Sequence, residues 1–205
     1  MTGRADLLLL CEANVCRSPL AELVIARRLG AHEALAEVEV ASAGVRAEGG
    51  RAVCGRVRRV ETDQDWADRT SAHRSRPVDA ADLDAAALVL TASRAVRAGA
   101  VSLSPAARRR VFTVREALWL ADGMTLPRGE GRDAVAALAE ALDARRGLRP
   151  LPGARRSFLR RRDTDPLDIR DGHVLGGTAH EQTVQDVVET SGRVAGLLID
   201  ISVSP

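Results

Sequence analysis

Leu7-Leu8-Leu9-Leu10-Cys11-Glu12-Ala13-Asn14-Val15-Cys16-Arg17-Ser18-Pro19 is the stretch that decides the fold. Four consecutive leucines ending at Cys11 predict a strand buried on both faces, as in a parallel sheet. Ser18 followed by Pro19 predicts a helix start, with Ser18 as N-cap and Pro19 at the first helical position. Leu20, Leu23, Val24 and Leu29 then recur at helical spacing, and Gly30 marks the stop. The chain therefore opens as strand, short loop, helix.

Working outward, a second strand is predicted at Val38–Ser42, ended by Gly44, and a short helix over Val53–Thr62. Ala86–Leu90 and Val111–Val114 read as buried strands, with short helices at Ser93–Ala100 and Pro105–Arg109 between them. Helical spacing returns at Asp133–Arg145 and in a long closing helix, Thr178–Ile199. Strands alternating with helices imply right-handed crossovers and a mostly parallel sheet. A chain of 205 residues suits one α/β domain with a sizeable core, so residues 1–205 are read as one unit. Its one compositional anomaly is an Arg-rich insertion around 145–162, holding Arg145, Arg146, Arg149, Arg155, Arg156, Arg160, Arg161 and Arg162. That run is read first as a solvated loop and second as a site for an acidic partner.

Composition excludes several classes. All 30 basic residues are Arg, and net charge is only +2, too close to zero to indicate a nucleic-acid partner. With two Trp, two Phe and no Tyr, a base-stacking platform is hard to assemble. No apolar run approaches the ~18 residues needed to span a bilayer. The N-terminal leucines lack the small-residue cleavage site of a secretory signal. Three cysteines do not make a disulfide scaffold, and a cytoplasmic setting is expected. No His, Cys or Asp group shows metal-ligand spacing along the chain, so neither metal nor cofactor is expected.

The chemistry concentrates in Cys11–Ser18. Arg is so abundant that a Cys with Arg six residues later means little alone. Its placement gives it weight. A loop between a parallel strand and a helix N-terminus turns several backbone N–H groups into one hollow, where they and the helix dipole attract an oxyanion. The same positive field favours a thiolate on Cys11. Arg17 adds a planar fork that can hold two phosphate oxygens. Substrate contacts are expected from Glu12, Ala13, Asn14, Val15, Cys16 and Ser18.

On these residues the chain resembles the low-molecular-weight protein tyrosine phosphatase family, whose pattern is Cys, five residues, then Arg-Ser-Pro after the first strand. Ala21-Glu22 continue the match, and Ala87–Thr91 and Val111–Val114 are similar to its third and fourth strands. The resemblance implies a four-stranded parallel sheet with helices on both faces, and hydrolysis of phosphate monoesters on protein phosphotyrosine or a small substrate. It implies Cys11 as nucleophile, Arg17 as phosphate clamp and Ser18 as the hydroxyl on the thiolate. Asn14 would hold a left-handed backbone conformation, which Asn tolerates, and Ser42 and His73 would support the loop. Cys16 would either form a protective disulfide with Cys11 or be an inert wall residue; Cys54 carries no motif and reads as a small buried side chain. The family's proton donor sits in an Asp-Pro pair before the last helix, which selects Asp165-Pro166 over Asp163, Asp168 and Asp171.

The match departs in places. Ala13 stands where members usually have Gly, Leu167 replaces the aromatic after the Asp-Pro pair, and Arg46-Ala47-Glu48-Gly49 offers no second aromatic wall. The stretch from Arg115 to Arg162 is also longer than usual. An arsenate reductase of the same fold, a small-molecule phosphatase and an inactive phosphate-binding module remain as alternatives.

Overall fold

A computed structural model describes residues 5–150, 152, 165–175 and 177–203. In chain order these form β1 (Leu7–Cys11), α1 (Arg17–Leu29), β2 (Val40–Gly44), α2 (Gly55–Arg58), α3 (Gln64–Ala72), α4 (Ala80–Ala85) and β3 (Leu88–Thr91). There follow α5 (Arg94–Leu103), β4 (Val111–Thr113), α6 (Val114–Ala121), α7 (Gly131–Arg145), α8 (Gly172–Leu175) and α9 (Gly177–Val203). All strand pairs are parallel, in the order β2-β1-β3-β4. The chain thus leaves β1 in one direction and returns on its other side, which makes the C-terminal end of β1 the topological switch point.

The alternation of side chains along β1 divides the core. Leu7 and Leu9 enter the larger cluster with Leu20, Leu23 and Ile25 of α1, Phe112 of β4 and Val194 and Leu198 of α9. Leu8 and Leu10 enter the other, with Leu83 of α4 and Val96 and Ala100 of α5. Helices therefore cover both faces, as the leucine run requires. Each buried leucine contributes roughly 1.5–3 kcal/mol, so β1 is anchored rigidly behind Cys11.

Two expectations need correction, and one helix was not anticipated. α1 starts at Arg17, with Cys16 at the N-cap position, because the Ser18 hydroxyl turns to Cys11 Sγ and Ala43 O instead of capping the helix. The predicted Val53–Thr62 helix is confined to α2, and a second helix, α3, follows it. α3 escaped the periodicity test because it buries only Trp66 and Thr70; its start is fixed by the Asp63 carboxylate accepting from the Trp66 amide.

The Arg-rich stretch also reads differently where it is described. The Arg146 guanidinium stacks over the Phe112 ring at 3.9 Å and bonds Glu116. Arg149 stacks over Trp119 at 4.3 Å and pairs with Asp122. These two arginines pin the end of α7 to α6 rather than forming a free basic face. Arg155, Arg156, Arg160, Arg161 and Arg162 lie outside the described residues.

Candidate active site

The loop after β1 closes around the Cys11 sulfur. Sγ accepts the Asn14 amide at 3.2 Å and the Ser18 hydroxyl at 3.1 Å, and the residue is 2% exposed. Asn14 is the one non-glycine residue with positive φ among those described, at 53°. Such a kink lets successive amides face one point. The kink is held from three sides. Asn14 Nδ2 donates to Ser18 Oγ at 3.0 Å and to Ser42 Oγ at 2.8 Å. Asn14 Oδ1 accepts the Arg76 amide at 3.0 Å. His73 Nε2 lies 3.0 Å from Asn14 O, and a carbonyl can only accept, so this nitrogen carries the proton. Ser42 and His73 therefore reach the loop through Asn14.

Two supports were not read from the sequence. Gly44 pairs with Cys11 across β1 and β2, and a Cβ there would lie 2.6 Å from Glu12 O and 3.0 Å from Asn14 N. Only Gly leaves room for the loop at that point. Glu22, on α1, has its carboxyl pushed up by burial, an effect opposed by a hydrogen bond from Ser42 and by the nearby His73. Glu22 sits in the Arg-Ser-Pro continuation, so helical spacing from Ser18 could have placed it beneath the loop.

Arg17 is 7% exposed and its guanidinium meets the segment before α8. Nη1 donates to Ile169 O at 3.3 Å and Nη2 forms an ion pair with the Asp171 carboxylate. Two of its five N–H donors are thus committed, leaving a side of the fork for an anion. The four candidate acids separate on this point. Asp163 lies outside the described residues. Asp165 accepts from the Leu167 amide, closing its own turn, and pairs with Arg94 at 2.9 Å. Asp168 accepts from the Arg94 amide at the start of α5, and burial pushes its carboxyl up. Asp171 is the one that touches Arg17. Asp165, the acid expected from the Asp-Pro pair, thus sits in a turn four residues before Ile169, whose carbonyl meets Arg17. Leu167 is a buried side chain, 3% exposed.

On the opposite side of the loop, Cys16 meets residues far away in sequence. Its Sγ lies 3.2 Å from His180 Nε2, and Cys54 Sγ lies 3.6 Å from the same nitrogen. His173 packs edge-on against His180, ring centroids 5.0 Å apart. A hydrogen bond between the two thiols, chiefly, drives Cys16 up and draws Cys54 down to about 5, with burial raising both. The expectation of no metal-ligating group came from spacing along the chain; the fold brings Cys16, Cys54, His173 and His180 together. Cys54 is buried, as expected, and faces Cys16 and His180.

A cysteine at the end of a parallel strand, its sulfur held by a loop amide and hydroxyl with an Arg opening the next helix, defines an α/β protein of the phosphate-loop type. Residues 6–123, more than half of the chain, match the family described as low molecular weight phosphotyrosine protein phosphatase, and the chain belongs to that family. It is accordingly a hydrolase of phosphate monoesters. Its fold is similar to that of the tyrosine phosphatase Wzb from Escherichia coli, at 19% identity and TM-score 0.59 over 94% of this chain and 97% of that one. It is similar also to the YwlE arginine phosphatase from Geobacillus stearothermophilus, at 20% identity and TM-score 0.57 over 93% and 90%. YfkJ from Bacillus subtilis matches at 16% identity and TM-score 0.58 over 95% and 94%. No curated protein sequence matches the chain. Among the described residues, no helix is long and apolar enough to cross a membrane.

Proposed function

We propose that this phosphatase removes phosphate from protein phosphotyrosine through a phosphocysteine on Cys11, with Arg17 as clamp and Asp171 as the acid–base group. Substrate phosphate takes the Arg17 fork in place of the Asp171 carboxylate, which is then free to bind a proton from solvent. The Cys11 thiolate attacks phosphorus as the bond to the leaving oxygen breaks, and that oxygen takes this proton. The Asp171 carboxylate then takes a proton from water, whose oxygen attacks phosphorus; the S–P bond breaks, and thiolate and inorganic phosphate are released. Amides of residues 12–18 and the Arg17 fork hold the equatorial oxygens throughout. The observation that carries this reading is the sulfur itself, held by the Asn14 amide and Ser18 hydroxyl in a loop whose Arg reaches an aspartate.

The substrate class rests on the family's name, and the walls qualify it. Trp66 and Phe112 are buried, and Trp119 is occupied by Arg149. The rim is polar instead, with Glu12 paired to Arg46 at 3.3 Å. A thiolate nucleophile suits a reducing compartment, and we assign the enzyme to the cytoplasm.

The test compares rates on a phosphotyrosine peptide and an alkyl phosphate, with Cys11→Ser as control. Faster turnover of the peptide, lost by about 10⁴-fold or more in Cys11→Ser, is expected. An alkyl preference would move the substrate to small metabolites, and an active Cys11→Ser would end the nucleophile assignment. Arsenate reduction is the second reading, favoured by the contact between Cys16 and Cys54. It requires Cys54, whereas phosphatase turnover does not, so arsenate-dependent thiol oxidation in Cys54→Ser separates the two.

A further inference from the structure

Cys16, Cys54, His173 and His180 come from four separate places: the phosphate loop, the N-cap position of α2, α8 and the first turn of α9. The whole chain holds three Cys and four His, so two of each converge at one spot in a molecule of 205 residues. One donor atom from each residue lies within 4.8 Å of every other. Cys16, Cys54 and His180 are buried, and His173 is exposed at the rim.

We propose that these four side chains form a tetrahedral Cys₂His₂ site for a divalent metal ion of zinc type, which takes Cys16 from the phosphate loop and leaves Cys11 free. The dimensions suit that ion. Zn–S of ~2.3 Å and Zn–N of ~2.0–2.1 Å in a tetrahedron place sulfur and nitrogen about 3.5 Å apart. The observed Sγ···Nε2 separations are 3.2 and 3.6 Å. Two thiolates and two imidazoles form the donor set that selects zinc over hard cations such as magnesium or calcium. Each thiol surrenders its proton on binding, so the two thiolates balance the charge of the ion and the buried site stays neutral. Four protein ligands leave no open position, so the ion acts structurally rather than as a Lewis acid.

Its effect follows from what the ligands are attached to. Cys16 is the residue before Arg17, and His173 is two residues after Asp171. A bound ion would therefore tie the loop's clamp to the segment bearing the acid, and hold both against α2 through Cys54. Metal at Cys16 and a Cys11–Cys16 disulfide exclude each other, since both need the same sulfur.

The test is a Co²⁺ titration of the full chain, chelator-treated and kept reduced, followed by competition with Zn²⁺. The expected result is the visible spectrum of tetrahedral Co²⁺ with a near-ultraviolet thiolate charge-transfer band, saturating at one ion per chain and bleached by Zn²⁺. Cys54→Ser and His173→Gln should each weaken binding by about 100-fold or more, at least as much as loss of a supporting group costs. Should Cys54→Ser not fold, His173→Gln, altered at an exposed position, carries the test alone. Cys11→Ser should bind Co²⁺ like the wild type although it cannot turn over, which keeps the metal site separate from the catalytic reading. An octahedral spectrum, bands unchanged in both variants, or a Cys16–Cys54 disulfide that yields no metal binding after reduction would overturn the proposal.

Discussion

The two flanks of the phosphate loop are built from different materials. On one, Asn14 donates to the Ser18 and Ser42 hydroxyls and accepts from the Arg76 amide and the His73 imidazole. On the other, Cys16 faces a second thiol and two imidazoles. The first flank sets the curvature that aims amides at the Cys11 sulfur. The second joins the loop to α2, α8 and α9, and so bears on where the segment carrying Asp171 rests. Loop shape and acid position are therefore separable properties, and substitutions should affect one without the other.

The sharpest break comes at the acid. Asp171→Ala should lower kcat on an aryl phosphate by about 10²–10⁴-fold, while Asp165→Ala should leave it within about threefold. Steady-state kinetics on both variants check this, and the reverse ranking would return the role to Asp165. Loss in Asp168→Ala alone would give it to that half-buried carboxyl instead.

Asn14 tests the polar flank. Asn14→Gly keeps the positive φ and loses three side-chain hydrogen bonds, each worth about 0.5–1.5 kcal/mol net. Asn14→Ala loses the same bonds and adds about 1–2 kcal/mol of backbone strain. Denaturant unfolding should rank wild type above Gly and Gly above Ala. Equal stabilities for the two variants would show that the left-handed turn carries no strain.

Glu22 gives the smallest effect. Burial raises its carboxyl above the ordinary range, so the folded chain keeps a proton that the unfolded chain releases. That contribution is complete below the unfolded value of about 4.3 and is lost as pH rises toward the folded value. The urea midpoint of the wild type should fall across that interval, and Glu22→Gln should flatten the fall. Superimposable pH profiles would show that Glu22 is solvated.

What the sequence disclosed tracks these same distinctions. Leu7–Leu10 announced a doubly buried strand because four apolar residues leave no exposed face, and the family motif made Asn14, Ser18, Ser42 and His73 legible at once. The Arg17–Asp171 ion pair was not legible, because Asp165-Pro166 is the more conspicuous dipeptide and nothing local reports that Arg17 reaches past it to the later carboxylate. α3 was missed because a helix burying one Trp and one Thr has no apolar stripe to detect. The Cys16–Cys54–His173–His180 group was invisible for a different reason. Its members are 38, 119 and 7 residues apart in order, and only the return of α9 to α1 brings them together.

The most direct test of the central claim is to catch the phosphoryl group in transit. Asp171→Ala enzyme should be quenched in acid during turnover of an aryl phosphate and its peptides weighed. The peptide containing Cys11 should carry one phosphoryl group, absent in Cys11→Ser. A Cys11 peptide that stays unmodified while product accumulates, or a phosphoryl group found on another residue, would contradict the account.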